Sequence, residues 1–237
     1  MKSVVLDASS PAATRSPASP AAARVKPRYR GVSHQVAAII AFPGAIGLLH
    51  LARGPAATIA AAVYGGSLVL LFACSAIYHR PQWSPRRRSI LGRIDQAAIF
   101  VLIAGTYTPF CLLLGPGKGH ALLFAVWAGA LSGVILALAW PGAPKRLMAG
   151  VYVFLGWFMV PVIPVFRAVM PPADFALILG GGVLYTVGAV IYALRRPDPY
   201  PAVFGYHEIF HLLVVGAAVC HFEVAMTVIE RLGAAAA

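Results

Sequence analysis

At 237 residues, with 60% apolar and 11% charged side chains and a mean hydropathy of +0.81, the chain is too apolar for a water-soluble domain, which carries about 45–50% apolar and ~25% charged residues. Nineteen Lys and Arg against seven Asp and Glu give a formal charge of +12, but the basic residues cap apolar runs instead of lining one polar face, which argues for membrane headgroups and against nucleic acid. Cys74, Cys111 and Cys220 fall inside apolar runs without the paired spacing of a disulfide framework or a cysteine zinc site, and read as small buried hydrophobes.

In chain order, residues 1–30 come first. They are rich in Ala, Ser and Pro, carry Lys2, Arg15, Arg24, Lys26, Arg28 and Arg30, and show no apolar period, so they read as a disordered basic tail. No apolar core of about 7–15 residues follows the first basic residue, as a signal peptide requires; a transit peptide is the minor alternative. Residues 31–237 then form a membrane domain of seven apolar spans, at 33–52, 56–79, 94–114, 119–140, 146–166, 174–194 and 207–229. Each is near the ~20 residues that a helix needs to cross a hydrocarbon core of ~30 Å. Pro43 and Gly44 interrupt the first span, and Pro161 and Pro164 predict a bend in the fifth, tolerated where neighbouring helices satisfy the freed backbone groups. Connectors such as Arg53-Gly54-Pro55, Gly115-Pro116-Gly117 and Pro171-Pro172 carry turn residues. Runs of this length without apolar/polar alternation exclude a β-barrel. The fold class expected is all-α, a seven-transmembrane helix bundle.

Fifteen of the nineteen basic residues fall in the tail and in the connectors after spans two, four and six; Arg53, Lys118, Arg167 and Arg231 fall on the other side. The positive-inside rule therefore places the N-terminus in the cytoplasm and the C-terminus outside. Arg86-Arg87-Arg88 contributes most to that bias and reads as a headgroup anchor.

An ionisable side chain in an apolar span is costly, so each one marks a functional hypothesis. His79 closes span two, Asp95 opens span three, and His207 and His211 open span seven, which puts all four at one membrane depth on the cytoplasmic side. His207 and His211, four positions apart, project from one side of a helix about one turn from each other, a spacing that chelates a divalent metal. With His79 as third nitrogen ligand they form a three-histidine zinc (Zn2+) site with a fourth position open, as catalytic zinc sites have. Asp95 is then the carboxylate that holds or deprotonates water. Ser75, one turn before His79, is placed to hydrogen-bond that water or a substrate carbonyl. The blander alternatives are an interfacial His79, an Asp95 that caps its helix or pairs with Arg93 or Arg80, and a Ser75 at a helix–helix contact. His34, His50, His120 and His221 read as structural or interfacial, His221 lying roughly 15 Å along the helix from His211.

Ser75-Ala-Ile-Tyr-His79, Arg93-Ile-Asp95 leading into Ile103-Ala-Gly-Thr-Tyr-Thr-Pro-Phe110, and His207-Glu-Ile-Phe-His211 with His221-Phe222 together resemble the hemolysin III proteins. These are the bacterial branch of the progestin and adiponectin receptor family, in a superfamily with the alkaline ceramidases. The resemblance covers about residues 31–230. It implies seven helices with a cytoplasmic N-terminus, zinc held by His79, His207 and His211, Asp95 holding the water on that zinc, and Ser75 one turn from the first ligand. Many bacterial members have His after the Asp, where this chain has Gln96.

The function expected is that of a zinc-binding integral protein of the bacterial inner (plasma) membrane, with membrane lipids as partners. Its expected activity is hydrolysis of lipid amide or ester bonds in membrane homeostasis. The alternatives are a non-enzymatic sensor of lipid or membrane state, or a cytolytic protein, in which zinc is structural. A third is an intramembrane metalloprotease, because His207-Glu208-Ile-Phe-His211 also fits H-E-x-x-H with Glu208 as base. No span carries the repeated polar residues of a pore-lining helix.

Overall fold

The computed structural model describes residues 26–235. Most of the tail read over 1–30 therefore lies outside the described residues. The helices are α1 (Val32–Leu51), α2 (Gly54–His79), α3 (Pro85–Leu114), α4 (Lys118–Ala139), α5 (Lys145–Gly156), α6 (Ile163–Val169), α7 (Pro172–Leu194) and α8 (Tyr206–Ala234). A short 3-10 turn at Val160–Val162 leads into α6, and the described residues hold no strand, only an isolated bridge between Tyr200 and Phe204. With α5 and α6 joined as one span, seven helical spans are long and apolar enough to cross a membrane. Large apolar side chains such as Ile39, Phe42, Phe124, Ile135 and Phe154 stand exposed on the outside of the bundle, as lipid contact requires.

The helices begin and end where the turn residues put them. Pro55, Pro85 and Pro172 sit in the first helical positions, where the N–H that proline lacks would have no partner. The structure departs from the sequence reading at three places. α3 starts at Pro85, nine residues before the expected 94, so Arg86, Arg87 and Arg88 belong to its first turns and not to a connector. At 30 residues it is about 45 Å long by the helical rise, longer than a hydrocarbon core, and hydropathy registers only its apolar part. α1 runs unbroken through Pro43 and Gly44. The fifth span does not merely bend: it breaks after Gly156 and resumes at Ile163. Tyr107 of α3 bridges this break, donating its O–H to Gly156 O at 2.6 Å and accepting the Met159 N–H at 3.0 Å, while Trp157 donates its indole N–H to Thr186 of α7. The freed backbone groups thus find partners inside the protein, as lipid surroundings demand.

α3 packs between α2 and α4, α1 packs on α2, and α7 on α8; α8 also touches α1, α2 and α3. Two apolar clusters fill the interior, one including Phe100, Val126, Phe166 and Val228, the other Leu48, Tyr64, Leu71 and Ile229. Small residues let the backbones close up: the Phe100 ring lies directly on Gly133, and Ser67 on Gly105. This packing brings the C-terminus of α2, the first three turns of α3 and the N-terminus of α8 to one end of the bundle.

Candidate metal centre

α8 is fixed at its start by two carboxylates. Glu208 accepts the Gly205 N–H at 2.8 Å, and Asp198 accepts the Tyr206 N–H at 3.0 Å, so donors that a helix N-terminus leaves unpaired are satisfied. The other Glu208 oxygen takes the Arg30 Nε–H at 2.5 Å, and the carboxylate is only 3% exposed. Arg30 belongs to a segment that crosses this end of the bundle: Arg28 and Tyr29 donate their N–H groups to Ala202 O and Val203 O, and Lys26 Nζ donates to Arg80 O and Pro81 O. Residues 26–30, at the end of the stretch read as tail, are thus docked. The segment enters α1 through Gly31 at φ 77°, where a Cβ would stand 2.6 Å from that of His79.

Three histidines converge beneath this segment. His79 Nε2 and His207 Nε2 are 3.2 Å apart, and one nitrogen from each of His79, His207 and His211 lies within 4.8 Å of the others. All three side chains are buried. Nitrogens around a tetrahedral zinc, at 2.0–2.1 Å from it, stand about 3.3 Å apart, the spacing that the His79–His207 pair has. His207 Nδ1 and His211 Nδ1 are buried without a hydrogen-bond partner. A set of three buried imidazoles, one pair facing Nε2 to Nε2, fits a divalent ion. Asp95 presents Oδ2 3.6 Å from His79 Nε2.

The histidines and Asp95 line a cavity of about 980 Å3 that reaches from Lys26, Arg30, Arg88 and Lys145 at its mouth to Thr106, Thr186 and His221 in its depth. Burial, and then the cations Arg80, Arg88 and Arg30, push the Lys26 ammonium below its ordinary pKa. Tyr192 walls the site beside His207, ring centres 5.6 Å apart, with Lys145 Nζ 5.2 Å over its face.

A family profile described as Haemolysin-III related matches residues 22–222. The chain belongs to this family. Among curated relatives of this haemolysin-III-related chain, a "Hemolysin-3 homolog" of Bacillus subtilis (strain 168) is 32% identical over 197 residues, 81% of this chain and 88% of the relative. A "Hemolysin-3" of Bacillus cereus is 33% identical over 195 residues, 81% and 86% of the two chains. Further off, an "ADIPOR-like receptor IZH2" of Saccharomyces cerevisiae is 28% identical over 186 residues, 68% of this chain and 56% of the relative.

Within this haemolysin-III-related bundle, His79, His207, His211 and Asp95 meet, although they come from three distant segments. Asp95 does not open its helix: it lies three turns into α3 and cannot cap it. Arg93 donates to Leu138 O and Arg80 to Gln35, so the ion-pair geometry of Asp95 is with His79. Glu208, the base in the protease reading of H-E-x-x-H, has its two oxygens engaged by Gly205 and Arg30 at the start of α8. Ser75 is buried next to the site, but its hydroxyl shares a 2.8 Å hydrogen bond with His34 Nδ1. His34 itself is the residue that sequence reasoning missed. It lies in the first turn of α1, and its ring stacks on that of His211. Its position at the start of an apolar span is the available signal. His221, read as structural or interfacial, donates its Nε2–H to Ile178 O at 3.1 Å and lines the cavity.

Proposed function

We propose that this haemolysin-III-related membrane protein is a zinc-dependent hydrolase of amide or ester bonds in membrane lipids. The observation that carries the reading is the Asp95 carboxylate, 3.6 Å from His79 Nε2, on the wall of the cavity that the three histidines also line. Zinc on those histidines would supply Lewis acidity to a carbonyl and lower the pKa of water at its open position. Asp95 accepts a proton from the attacking water as its oxygen bonds to the carbonyl carbon, and returns that proton to the amine or alcohol as the C–N or C–O bond breaks. The apolar part of the cavity wall, with Leu102, Ile103, Val153 and Val214, takes the acyl chain, and the wall of Tyr192 and Phe210 keeps bulk water from the reacting end. The positive-inside bias puts this end at the cytoplasmic headgroups, and we assign the protein to the bacterial inner membrane with lipids, not nucleic acid, as its partners. A zinc that only stapled α2 to α8 would need neither the cavity nor a carboxylate facing it.

Purified protein is loaded with zinc and assayed for fatty-acid release from a panel of ceramides, phospholipids and acylated amines. Asp95→Asn is expected to keep zinc and thermal stability while losing about 10²–10⁴ in rate. Glu208→Gln at equal zinc content is expected to keep its rate. An Asp95→Asn protein as active as wild type, or a zinc-loaded wild type that turns over nothing in the panel, defeats the hydrolase reading in favour of the staple.

A further inference from the structure

A histidine that binds a metal through one nitrogen is normally held in orientation by a hydrogen bond from its other N–H to a carbonyl, carboxylate or water. His211 lacks that device, because its Nδ1 is enclosed without any partner among the described residues. Its ring plane is fixed in another way. The His34 ring lies flat against it, with centres 3.8 Å apart and planes 4° from parallel. His34 is in turn held by one face of α2 at two points: Ser75 Oγ bonds its Nδ1 at 2.8 Å, and Phe72 meets it edge-on, ring centres 5.1 Å apart. His34 is 3% exposed, and what it shows of its surface faces the cavity that the metal ligands line. The chain leads into it through Gly31, whose backbone rests on His79.

We infer that His34 is a positioning residue of the metal centre: clamped by Ser75, its ring is a flat shelf that keeps His211 in the plane required for ligation. The inference rests on the reading of His79, His207 and His211 as the metal ligands. It gives Ser75 a task other than contact with substrate, since the serine acts through His34. It also makes α1 part of the site, although α1 contributes no ligand. The shelf works through shape, so another flat ring of similar size performs it without the nitrogen.

The test measures zinc affinity of full-length detergent-solubilised protein by competition with a chromogenic chelator, together with the visible spectrum of the cobalt(II)-loaded protein and the melting temperature with and without metal. His34→Ala is expected to weaken zinc about 10–100-fold, the usual effect of losing a residue that orients a ligand, and to change the cobalt spectrum while the metal-free melting temperature moves little. His34→Phe, which restores a flat ring, is expected to recover most of the affinity and the wild-type spectrum. Ser75→Ala, which like His34→Phe keeps a flat ring but lacks the Ser75–His34 hydrogen bond, is expected to match the Phe variant. Should His34→Ala not fold, His34→Leu fills the space without a flat face, and the same loss is expected of it. Affinity within twofold of wild type for the Ala or Leu variant overturns the inference, as does a Phe variant no better than Ala. A wild-type protein that binds no zinc overturns both this inference and the metal centre on which it rests; a zinc-binding wild type with an indifferent His34 overturns this inference alone.

Discussion

Gly31 sits where two constraints coincide: its φ of 77° is a conformation that L side chains rarely adopt, and a Cβ there would collide with His79. Gly31→Ala is therefore expected to destabilise the protein by about 1–2 kcal/mol from the backbone conformation alone. The collision adds to this and displaces a residue of the metal centre, so zinc affinity should fall with the melting temperature; chelator competition and thermal unfolding of one sample read both. An alanine variant with wild-type melting and affinity would show that the segment before α1 does not bear on His79. At this scale the sequence made three histidines and one aspartate legible, because each is a polar residue at the end of an apolar run. His34 has the same property but no sequence neighbour of matching chemistry, because its partners Ser75 and His211 come from α2 and α8. Glu208 was legible only as a motif letter; its engagement with Arg30 is a contact across 178 residues that no local pattern announces.

The helical elements were legible in position because lipid thickness sets their length and Gly and Pro mark their ends. What hydropathy did not show is where polar chain continues as helix. α3 carries Arg86, Arg87, Arg88 and Arg93 on its first turns, and these depress the apolar average without interrupting the helix. Conversely, the apolar run through 146–166 hides a break, because Trp157, Phe158 and Met159 are as apolar as the helices on either side. The Tyr107 hydroxyl pairs two of the backbone groups freed at that break. Tyr107→Phe removes the partner of both Gly156 O and the Met159 N–H, and leaving buried backbone groups unpaired costs about 1–3 kcal/mol each, more in lipid than in water. We expect a clear loss of stability in detergent unfolding, with zinc binding at 79, 207 and 211 preserved, because the break lies away from the metal end. Unchanged stability would mean that the break is held by packing alone.

For the whole molecule, the positive-inside bias sets a direction across the membrane. With Cys74, Cys111 and Cys220 replaced by alanine, a single cysteine at Arg86 is expected to resist a membrane-impermeant maleimide in intact cells and to react after lysis. One at Lys118 is expected to react from outside; the reverse pattern would put the metal centre on the outer leaflet. The seven spans and their common end followed from arithmetic on the sequence. The closure of the site did not, since it depends on which helices neighbour one another: α8 packs against α1, α2 and α3, and only that arrangement sets residues 79, 95, 207 and 211 around one point. The most direct test is X-ray absorption at the zinc edge of the stoichiometrically loaded full-length protein. The account predicts a first shell of three imidazole nitrogens at about 2.0–2.1 Å with oxygen in the remaining position and no sulfur. Each of His79→Ala, His207→Ala and His211→Ala is expected to remove one nitrogen or the metal itself. Sulfur in the shell, or zinc bound as tightly after all three histidines are replaced, would contradict it.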